Sequence, residues 1–341
     1  MIKFAIIGQG HIGRRHAEMI RRNADSQLVA VCDILPKEQT QNSDIEVPYF
    51  SNIDELLAAG LEIDVVNICT PNSYHAEYAI KSLRAGYHVV IEKPIALTKK
   101  DAEKILATSL EMSHHVFCVM QNRYSPPSVW LREVMDERRL GKIFMVKLDC
   151  YWNRDDRYYV KGNWHGDQTL DGGTLFTQFS HFIDIMYWLF GDITNIRGNF
   201  ADFNHQKLTD FEDSGSVTFD FINGGIGTLN YSTSVWDTNL ESSITIIGEK
   251  GTIKVAGQYM NEVVYCHVKD YQMPVLAPSN PPNDYGAYKG SAQNHHYVIQ
   301  NVVEKLTDKG TISTNVLEGM KVVDIIERIY KVRDKQWNKR V

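Results

Sequence analysis

The sequence has few cysteines, and their arrangement does not indicate that they act together. Its five cysteines are scattered over 341 residues without paired spacing: Cys32, Cys69, Cys118, Cys150 and Cys266. Disulfide frameworks and zinc sites need cysteines at short, recurring spacings. We therefore expect reduced thiols, as in a cytoplasmic protein, with several of them serving as small apolar residues of the core.

Long apolar runs and an excess of positive charge are also missing. No apolar run approaches the roughly 18 residues that a membrane-spanning helix needs, and the first residues read as a strand rather than as a targeting segment. The formal net charge of −6 disfavours a general binder of nucleic acid or anionic membranes, which needs a basic face. We predict a cytoplasmic protein without nucleic-acid or membrane partners.

The chain is long enough for two domains, because single cores usually stop growing near 250–300 residues. Residues 1–121 alternate short β-branched runs with amphipathic helical patterns, which predicts a doubly wound parallel sheet of the Rossmann type. Residues 122–341 contain several strands in succession, separated by turn signals such as Asn223-Gly224-Gly225. This pattern predicts an α+β domain with a large, mainly antiparallel sheet.

A glycine-rich loop follows the first predicted strand. Residues 8–13 read GQGHIG, with the spacing G-x-G-x-x-G, and a helical pattern begins directly after them. In this context Gly8 makes the tight turn, Gly10 admits a pyrophosphate against the backbone, and Gly13 lets helix and strand pack closely. The amides at the helix start, including those of His11 and Ile12, supply donors to the phosphates.

An acidic residue stands where the second predicted strand ends. Asp33 lies 20 positions beyond Gly13, where a carboxylate can accept hydrogen bonds from the ribose hydroxyls and repel a 2′-phosphate. The sequence therefore predicts NAD, rather than NADP, as the cofactor. The competing interpretation is a glycine turn followed by an unrelated surface aspartate.

Two further strand exits carry polar residues. Thr70 and Asn72 flank a proline after one apolar run, and Glu92 and Lys93 precede a proline after the next. Ligands of open α/β sheets bind beyond the carboxyl ends of the strands, so these side chains are candidates for the cleft. Turn chemistry alone would also explain Thr70 and Asn72, whereas Lys93 has no obvious structural task.

The ordered set of motifs resembles the Gfo/Idh/MocA family of oxidoreductases over essentially the whole chain. The motifs are GxGxxG, then CTPN with His75, then EKP, then a Gly-Gly segment with His181 before an apolar helix. The resemblance implies a Rossmann domain and a second domain whose open sheet faces a partner subunit. It implies that Lys93 is the active-site lysine and His181 the proton-transfer residue, and it adds His75, Glu92 and Gln121 to the cofactor contacts.

Segments of the second domain resemble the branch that oxidises UDP-N-acetylglucosaminuronate at C3 for surface polysaccharide synthesis. They lie at residues 121–126, 151–154, 158–159, 164–166 and 171–184. The chain departs from the broader family where the usual aspartate of D-x-G-x-H is Thr177 and the usual glycine is Phe179. A mechanism that needs a carboxylate at 177 is therefore in doubt, while Lys93 and His181 remain.

A UDP-sugar acid carries a diphosphate and a carboxylate, which call for bidentate donors. The candidate substrate contacts are Arg123, Arg154, Arg157, Tyr159, Thr177, Gln178 and His181. For each arginine, a solvated surface charge is the alternative. The adjacent histidines His295 and His296 lack a carboxylate or third histidine at ligand spacing, so we predict no metal.

We expect Lys93 from the first domain and His181 from the second to act at one nicotinamide ring, His181 as base and Lys93 as polarising donor, although the roles could be exchanged. The alternative for His181 is a satisfied buried histidine on an amphipathic helix. Other functions left open are a dehydrogenase of a free sugar or inositol, an NAD-dependent glycoside hydrolase and a non-catalytic NAD-binding protein. An exposed sheet needs covering, so a homodimer or homotetramer is expected.

Overall fold

The computed structural model describes residues 1–40 and 43–337, and these form two compact units. The first unit comprises Met1–Met120 and His295–Val323, and the second comprises Gln121–Asn294 and the chain from Asp324 onward. The single division predicted after Gln121 therefore has a counterpart at Met120, but a later stretch of chain returns to the first unit. The predicted end of the second domain, at 341, lies outside the described residues.

The first unit is built on a six-stranded parallel sheet. Its strands are β1 (Ile2–Ile7), β2 (Ser26–Cys32), β3 (Tyr49–Phe50), β4 (Val65–Ile68), β5 (His88–Ile91) and β6 (Val116–Cys118), in the order β3-β2-β1-β4-β5-β6. All neighbouring strands are parallel. The central strands are apolar and buried because helices cover both faces of such a sheet. The predicted Rossmann architecture is confirmed.

Helices connect these strands, and two more come from the end of the chain. They are α1 (His11–Arg22), α2 (Ile53–Ala58), α3 (His75–Arg84) and α4 (Lys99–Met112), with α7 (His295–Leu306) and the first part of α8 (Val316–Trp337). Asn52 and Thr98 cap α2 and α4 by accepting hydrogen bonds from backbone amides. The returning segment is tied to β6 by a bridge between Phe117 and Asn315.

The second unit contains a seven-stranded sheet. Its strands are β7 (Ile143–Tyr151), β8 (Ile193–Ala201), β9 (Ser214–Phe221), β10 (Ile226–Ser232), β11 (Glu241–Gly248), β12 (Gly251–Ala256) and β13 (Glu262–Val268), in the order β13-β12-β11-β7-β10-β9-β8. The pair β10–β7 is parallel and the other pairs are antiparallel. The mainly antiparallel sheet is thus confirmed.

The remaining elements of the second unit include α5 (Pro126–Asp136), a π-helical turn (Leu175–Phe179) that continues into α6 (Ser180–Phe190), and a small hairpin of β14 (Pro282–Asp284) and β15 (Lys289–Ala292). Val146 and Leu148 of β7 are fully buried on the side that α6 contacts. Among the described residues, no helix is both long and apolar enough to cross a membrane.

Candidate active site

The glycine loop has the shape that a dinucleotide site requires. Gly8 adopts a φ of +94°, and a Cβ there would lie 2.4 Å from the carbonyl oxygen of Cys69. A Cβ on Gly13 would lie 1.9 Å from the carbonyl oxygen of Gly8, whereas one on Gly10 would meet nothing within 4 Å. The first and third glycines are therefore required by packing, while Gly10 leaves open space at the start of α1, where a phosphate can approach the helix amides.

Asp33 is oriented by the backbone around it. Its carboxylate accepts a 2.6 Å hydrogen bond from the amide of Gln9, inside the glycine loop, and a 2.9 Å bond from the amide of Leu35. The residue stands directly after β2, beside the loop. A carboxylate held in this way fits the role of ribose acceptor that the sequence predicts.

The exits of β4 and β5 are joined by a buried histidine. In His75, Nδ1 lies 2.6 Å from the carbonyl oxygen of Pro94 and Nε2 lies 2.8 Å from that of Thr70. Burial lowers the pKa of His75, and the two carbonyl acceptors work in the opposite direction. Asn72 is also buried here. Three of the predicted cofactor residues thus shape the sheet edge at which the half-buried Lys93 lies.

The carboxylate of Glu92 is buried between two histidines and the backbone of Lys93. Its Oε1 lies 3.0 Å from Nε2 of His16 and 3.4 Å from Nε2 of His295, and its Oε2 accepts a 3.2 Å bond from the amide of Lys93. These contacts hold the pKa of Glu92 well below its ordinary value, although burial alone would raise it. Sequence reasoning assigned Glu92 to the cofactor and did not find His16, which is 76 positions away.

Two histidines and a carboxylate are also ligands that zinc prefers. The fold brings His16 and Glu92 to His295, which the sequence pattern around His295 does not show. However, the amide nitrogen of Asn67 lies 2.9 Å from Nδ1 of His16. Because an amide N–H donates, Nδ1 accepts and Nε2 carries the proton toward Glu92. We therefore describe His16 and Glu92 as a hydrogen-bonded pair that His295 contacts at 3.4 Å, and we assign no metal to the group.

In the second unit, His181 is buried near the start of α6, directly after the π-helical turn. Its Nε2 lies 3.3 Å from the amide nitrogen of Gln121. The amide donates, so Nε2 carries the lone pair and the ring is in a form that can accept a proton. Gln121, which was predicted to contact the cofactor, here contacts the predicted base. Its buried Oε1 has no hydrogen-bond partner among the described residues.

Thr177 is hydrogen-bonded to a buried carboxylate. The threonine hydroxyl donates to a carboxylate oxygen of Asp171, a buried residue whose other oxygen accepts a 3.0 Å bond from the amide of Gly166. Position 177 lacks the usual aspartate of the family, but the fold places another aspartate next to it. The sequence motif contains Asp171, yet nothing in the local pattern indicates that it contacts Thr177.

Arg154 is a buried cation, and no acidic side chain of the described residues pairs with it. Within the described part of the chain, its hydrogen bonds go to neutral oxygens, including Gln178 Oε1 at 2.8 Å and the carbonyl of Lys289 at 3.1 Å. The rings of Trp152, Tyr158 and Tyr288 lie about its guanidinium at 4.9, 5.1 and 5.1 Å. Burial lowers the pKa of Arg154. None of these contacts, within residues 1–40 and 43–337, brings a carboxylate to balance its positive charge.

The other two arginines have carboxylate partners. Arg123 forms a buried, bidentate ion pair with Asp184, at 2.8 and 2.7 Å. Arg157 is more exposed and pairs with Asp155 and Asp237. The predicted substrate contact Tyr159 is buried against Tyr158 and Phe211. Of the three predicted arginines, only Arg154 therefore keeps a charge that a ligand could balance.

Known proteins share both halves of this architecture. Residues 2–120 match the oxidoreductase family with an NAD-binding Rossmann fold, and residues 129–254 match the GFO/IDH/MocA C-terminal domain. The WlbA dehydrogenase from Bordetella pertussis, solved in complex with NADH and UDP-GlcNAcA, is 28% identical with a TM-score of 0.87, covering 98% of this chain and 97% of that one.

Two further proteins support the assignment. The WlbA dehydrogenase from Chromobacterium violaceum, also in complex with NADH and UDP-GlcNAcA, is 29% identical with a TM-score of 0.84, covering 98% of this chain and 94% of that one. The D-glucoside 3-dehydrogenase of Escherichia coli is 26% identical over 242 residues, which are 66% of this chain and 68% of the relative. The chain belongs to the Gfo/Idh/MocA family and is an NAD-dependent oxidoreductase of sugar-type substrates.

Proposed function

We propose that this enzyme oxidises C3 of a UDP-N-acetylhexosaminuronate, such as UDP-GlcNAcA, to a ketone. The observation that carries the proposal is the similarity to two structures of dehydrogenases in complex with NADH and UDP-GlcNAcA, which extends over 98% of the chain. The buried charge of Arg154 supports an anionic substrate independently, because an unbalanced cation in a low-dielectric site is relieved by a bound anion.

The first unit holds the groups that would bind NAD. The amides at the start of α1 would take the pyrophosphate, Asp33 the ribose hydroxyls, and the residues around Lys93 the nicotinamide end. The cofactor supplies the acceptor for the hydride that leaves C3. Gly10 leaves the space that the pyrophosphate requires.

His181 is proposed as the base. With the amide of Gln121 as donor, Nε2 would carry the lone pair and would take the proton of the C3 hydroxyl as the hydride departs. Lys93 would donate a hydrogen bond to the same oxygen and stabilise the charge that develops on it. One hydride and one proton leave the alcohol, and a ketone remains. Thr177 and Asp171 would hold the turn that carries His181.

A second candidate is the oxidation of an uncharged sugar at the same carbon. The similarity to D-glucoside 3-dehydrogenase favours it. A neutral sugar, however, would leave the charge of Arg154 unbalanced. The two candidates differ in the substrate's charge and agree on the hydride and proton transfers.

We also propose that the enzyme is a homo-oligomer, a dimer or tetramer. Met145 of β7 pairs with Ile226 of β10 on one side and with Ile247 of β11 on the other. These three side chains are exposed and form an apolar row across the sheet. Such a row favours contact with a second copy, because an isologous interface buries the same patch twice.

A substrate panel tests the proposed reaction. The purified enzyme would be given UDP-GlcNAcA, UDP-N-acetylglucosamine, UDP-glucuronate, methyl glucoside and myo-inositol, each with NAD. NADH absorbance and mass spectrometry of the sugar would be followed with and without 2-oxoglutarate, so that NADH recycled in place is not missed. We expect the 3-keto product from UDP-GlcNAcA at the highest kcat/KM. A clear preference for methyl glucoside or inositol would establish the second candidate instead.

A further inference from the structure

The surroundings of Lys93 contain two histidines that no part of the proposed mechanism uses. His16 is the sixth residue of α1, and His295 is the first residue of α7. Both are almost fully buried, and both direct Nε2 to Oε1 of Glu92, at 3.0 and 3.4 Å. A buried carboxylate needs polar neighbours of this kind, because an unpaired charge in the interior costs roughly several kcal/mol.

Glu92 in turn holds the backbone of the next residue, Lys93. Its second oxygen accepts the backbone amide of Lys93 at 3.2 Å. On the other side of Lys93, the carbonyl oxygen of Pro94 lies 2.6 Å from Nδ1 of His75. The backbone that carries Lys93 is therefore fixed from both directions, and α1, α3 and α7 all take part.

We infer that His16, Glu92 and His295 form a positioning cluster for Lys93. Helix α7 comes from the end of the chain, so the cluster ties the last part of the first unit to the strand exit that carries the active-site lysine. The inference rests on the proposed function only in giving Lys93 its catalytic role. Neither histidine touches the reacting atoms in this scheme, and both act through Glu92.

The cluster also holds a carboxylate on the residue next to Lys93. The titratable groups that face Glu92 are His16 of α1, Cys69 after β4, His75 of α3 and His295 of α7, while Arg15 faces His295 and Lys93 faces His75. A carboxylate at this position favours the ammonium form of Lys93, since opposite charges stabilise each other. A lysine kept as ammonium acts as the polarising donor and leaves the role of base to His181.

The lysine's protonation can be measured without any substrate. Reductive methylation with 13C-formaldehyde labels the lysines, and the Lys93 signal is assigned by its loss in Lys93→Arg. We expect Glu92→Gln to lower the pKa of Lys93, because the neighbouring negative charge is removed. An unchanged pKa in a folded Glu92→Gln protein would overturn the charge coupling. This result stands whether or not UDP-GlcNAcA is the substrate, so failure of the inference and failure of the proposed function are distinguishable.

Turnover then separates hydrogen bonding from packing. His295→Leu removes the polar contact with Glu92 and should reduce kcat on the order of tenfold by misplacing Lys93, while His295→Gln keeps a polar group beside the carboxylate and should restore most of the loss. His296→Leu is the matched control, because His296 is the next residue of α7 and is exposed. Wild-type kcat in His295→Leu, or equal damage in both His295 variants, would contradict the inference.

Metal analysis of the purified wild-type protein completes the test. The hydrogen-bonded cluster predicts that His16, Glu92 and His295 hold no ion. A stoichiometric zinc ion that is retained through dialysis and lost in His295→Gln would overturn the positioning cluster in favour of a metal centre. If His295→Leu fails to fold, the pKa of Lys93 in Glu92→Gln and the metal content of the wild type still test the positioning cluster.

Discussion

Asp33 shows how a single carboxylate can select a cofactor. The amides of Gln9 and Leu35 each donate a hydrogen bond to one of its oxygens. The carboxylate is therefore held in place and would repel the 2′-phosphate of NADP. We predict that Asp33→Ser lowers the ratio of kcat/KM with NAD to that with NADP by about tenfold or more, since charge repulsion is lost with the carboxylate. Asp25→Ser, at an exposed position before β2, should leave the ratio unchanged. A wild-type preference for NADP would refute this role of Asp33.

Arg154 is the residue that should distinguish charged from neutral sugars. We predict that Arg154→Met raises the KM for UDP-GlcNAcA on the order of tenfold or more, because a charge-assisted contact is lost, with a much smaller effect on a neutral sugar. The variant should also lose thermal stability, because Met cannot replace the hydrogen bonds that Arg154 donates to Gln178 and to the carbonyl of Lys289. Arg197→Met, an exposed arginine of β8, is the control. Equal effects on charged and neutral substrates would contradict an anion-recognising role.

At the scale of elements, His88 at the start of β5 should limit the stability of the protein in acid. Nδ1 of His88 accepts the amide of His115 at 2.9 Å, and the rings of His114 and His115 lie 5.0 and 5.2 Å away. Burial, and then these two neighbours, lower the pKa of His88 from 6.5 to about 4. Between these values the unfolded chain binds a proton that the folded protein does not.

The protein should therefore lose stability as the pH falls from 6.5 toward 4. We predict that His88→Asn, which keeps an acceptor for the amide but does not titrate, shows a smaller loss. Chemical denaturation at pH 7 and pH 5 measures the difference. His296→Asn, at an exposed site, should behave like the wild type. The same loss in His88→Asn as in the wild type would show that the acid sensitivity comes from other groups.

Many of these elements could be predicted from the sequence, and the exceptions have physical reasons. Continuous apolar runs mark β1, β4 and β5 because both sides of a central parallel strand are buried. The sequence around His181 predicts a helix but does not reveal the π-helical turn, because a turn of five residues is too short to change the apolar periodicity visibly. Residues 274–290 are rich in proline and asparagine, which predicts a long loop. The structure forms β14 and the start of β15 there, because strands of three or four residues are too short to give a pattern.

Contacts between residues that are far apart in the sequence were harder to predict. The amphipathic pattern of α7 predicts a helix but not the core it packs on, so its return to the first unit could not be inferred. The approach of His295 to Glu92 depends on that return. Likewise, Arg154 reads like Arg123 in the sequence, and only the fold shows that one has an acidic partner and the other does not.

At the scale of the whole molecule, the exposed row of Ile247, Met145 and Ile226 should determine the oligomeric state. We predict that the wild type is a dimer or tetramer by light scattering after size-exclusion chromatography. Met145→Glu should lower the mass, because a charge placed in a buried apolar interface is costly. Leu110→Glu, on the exposed side of α4, is the control. A monomeric wild type would contradict the proposed interface.

The most direct test of the proposed chemistry follows the hydride itself. UDP-GlcNAcA carrying deuterium at C3 would be mixed with excess enzyme and NAD, the protein denatured after one turnover, and the nicotinamide analysed by mass spectrometry. The account predicts that the reduced nicotinamide gains one deuterium and that the sugar becomes a 3-ketone without the label. Reduced cofactor without deuterium, or a labelled sugar recovered unchanged, would contradict oxidation at C3.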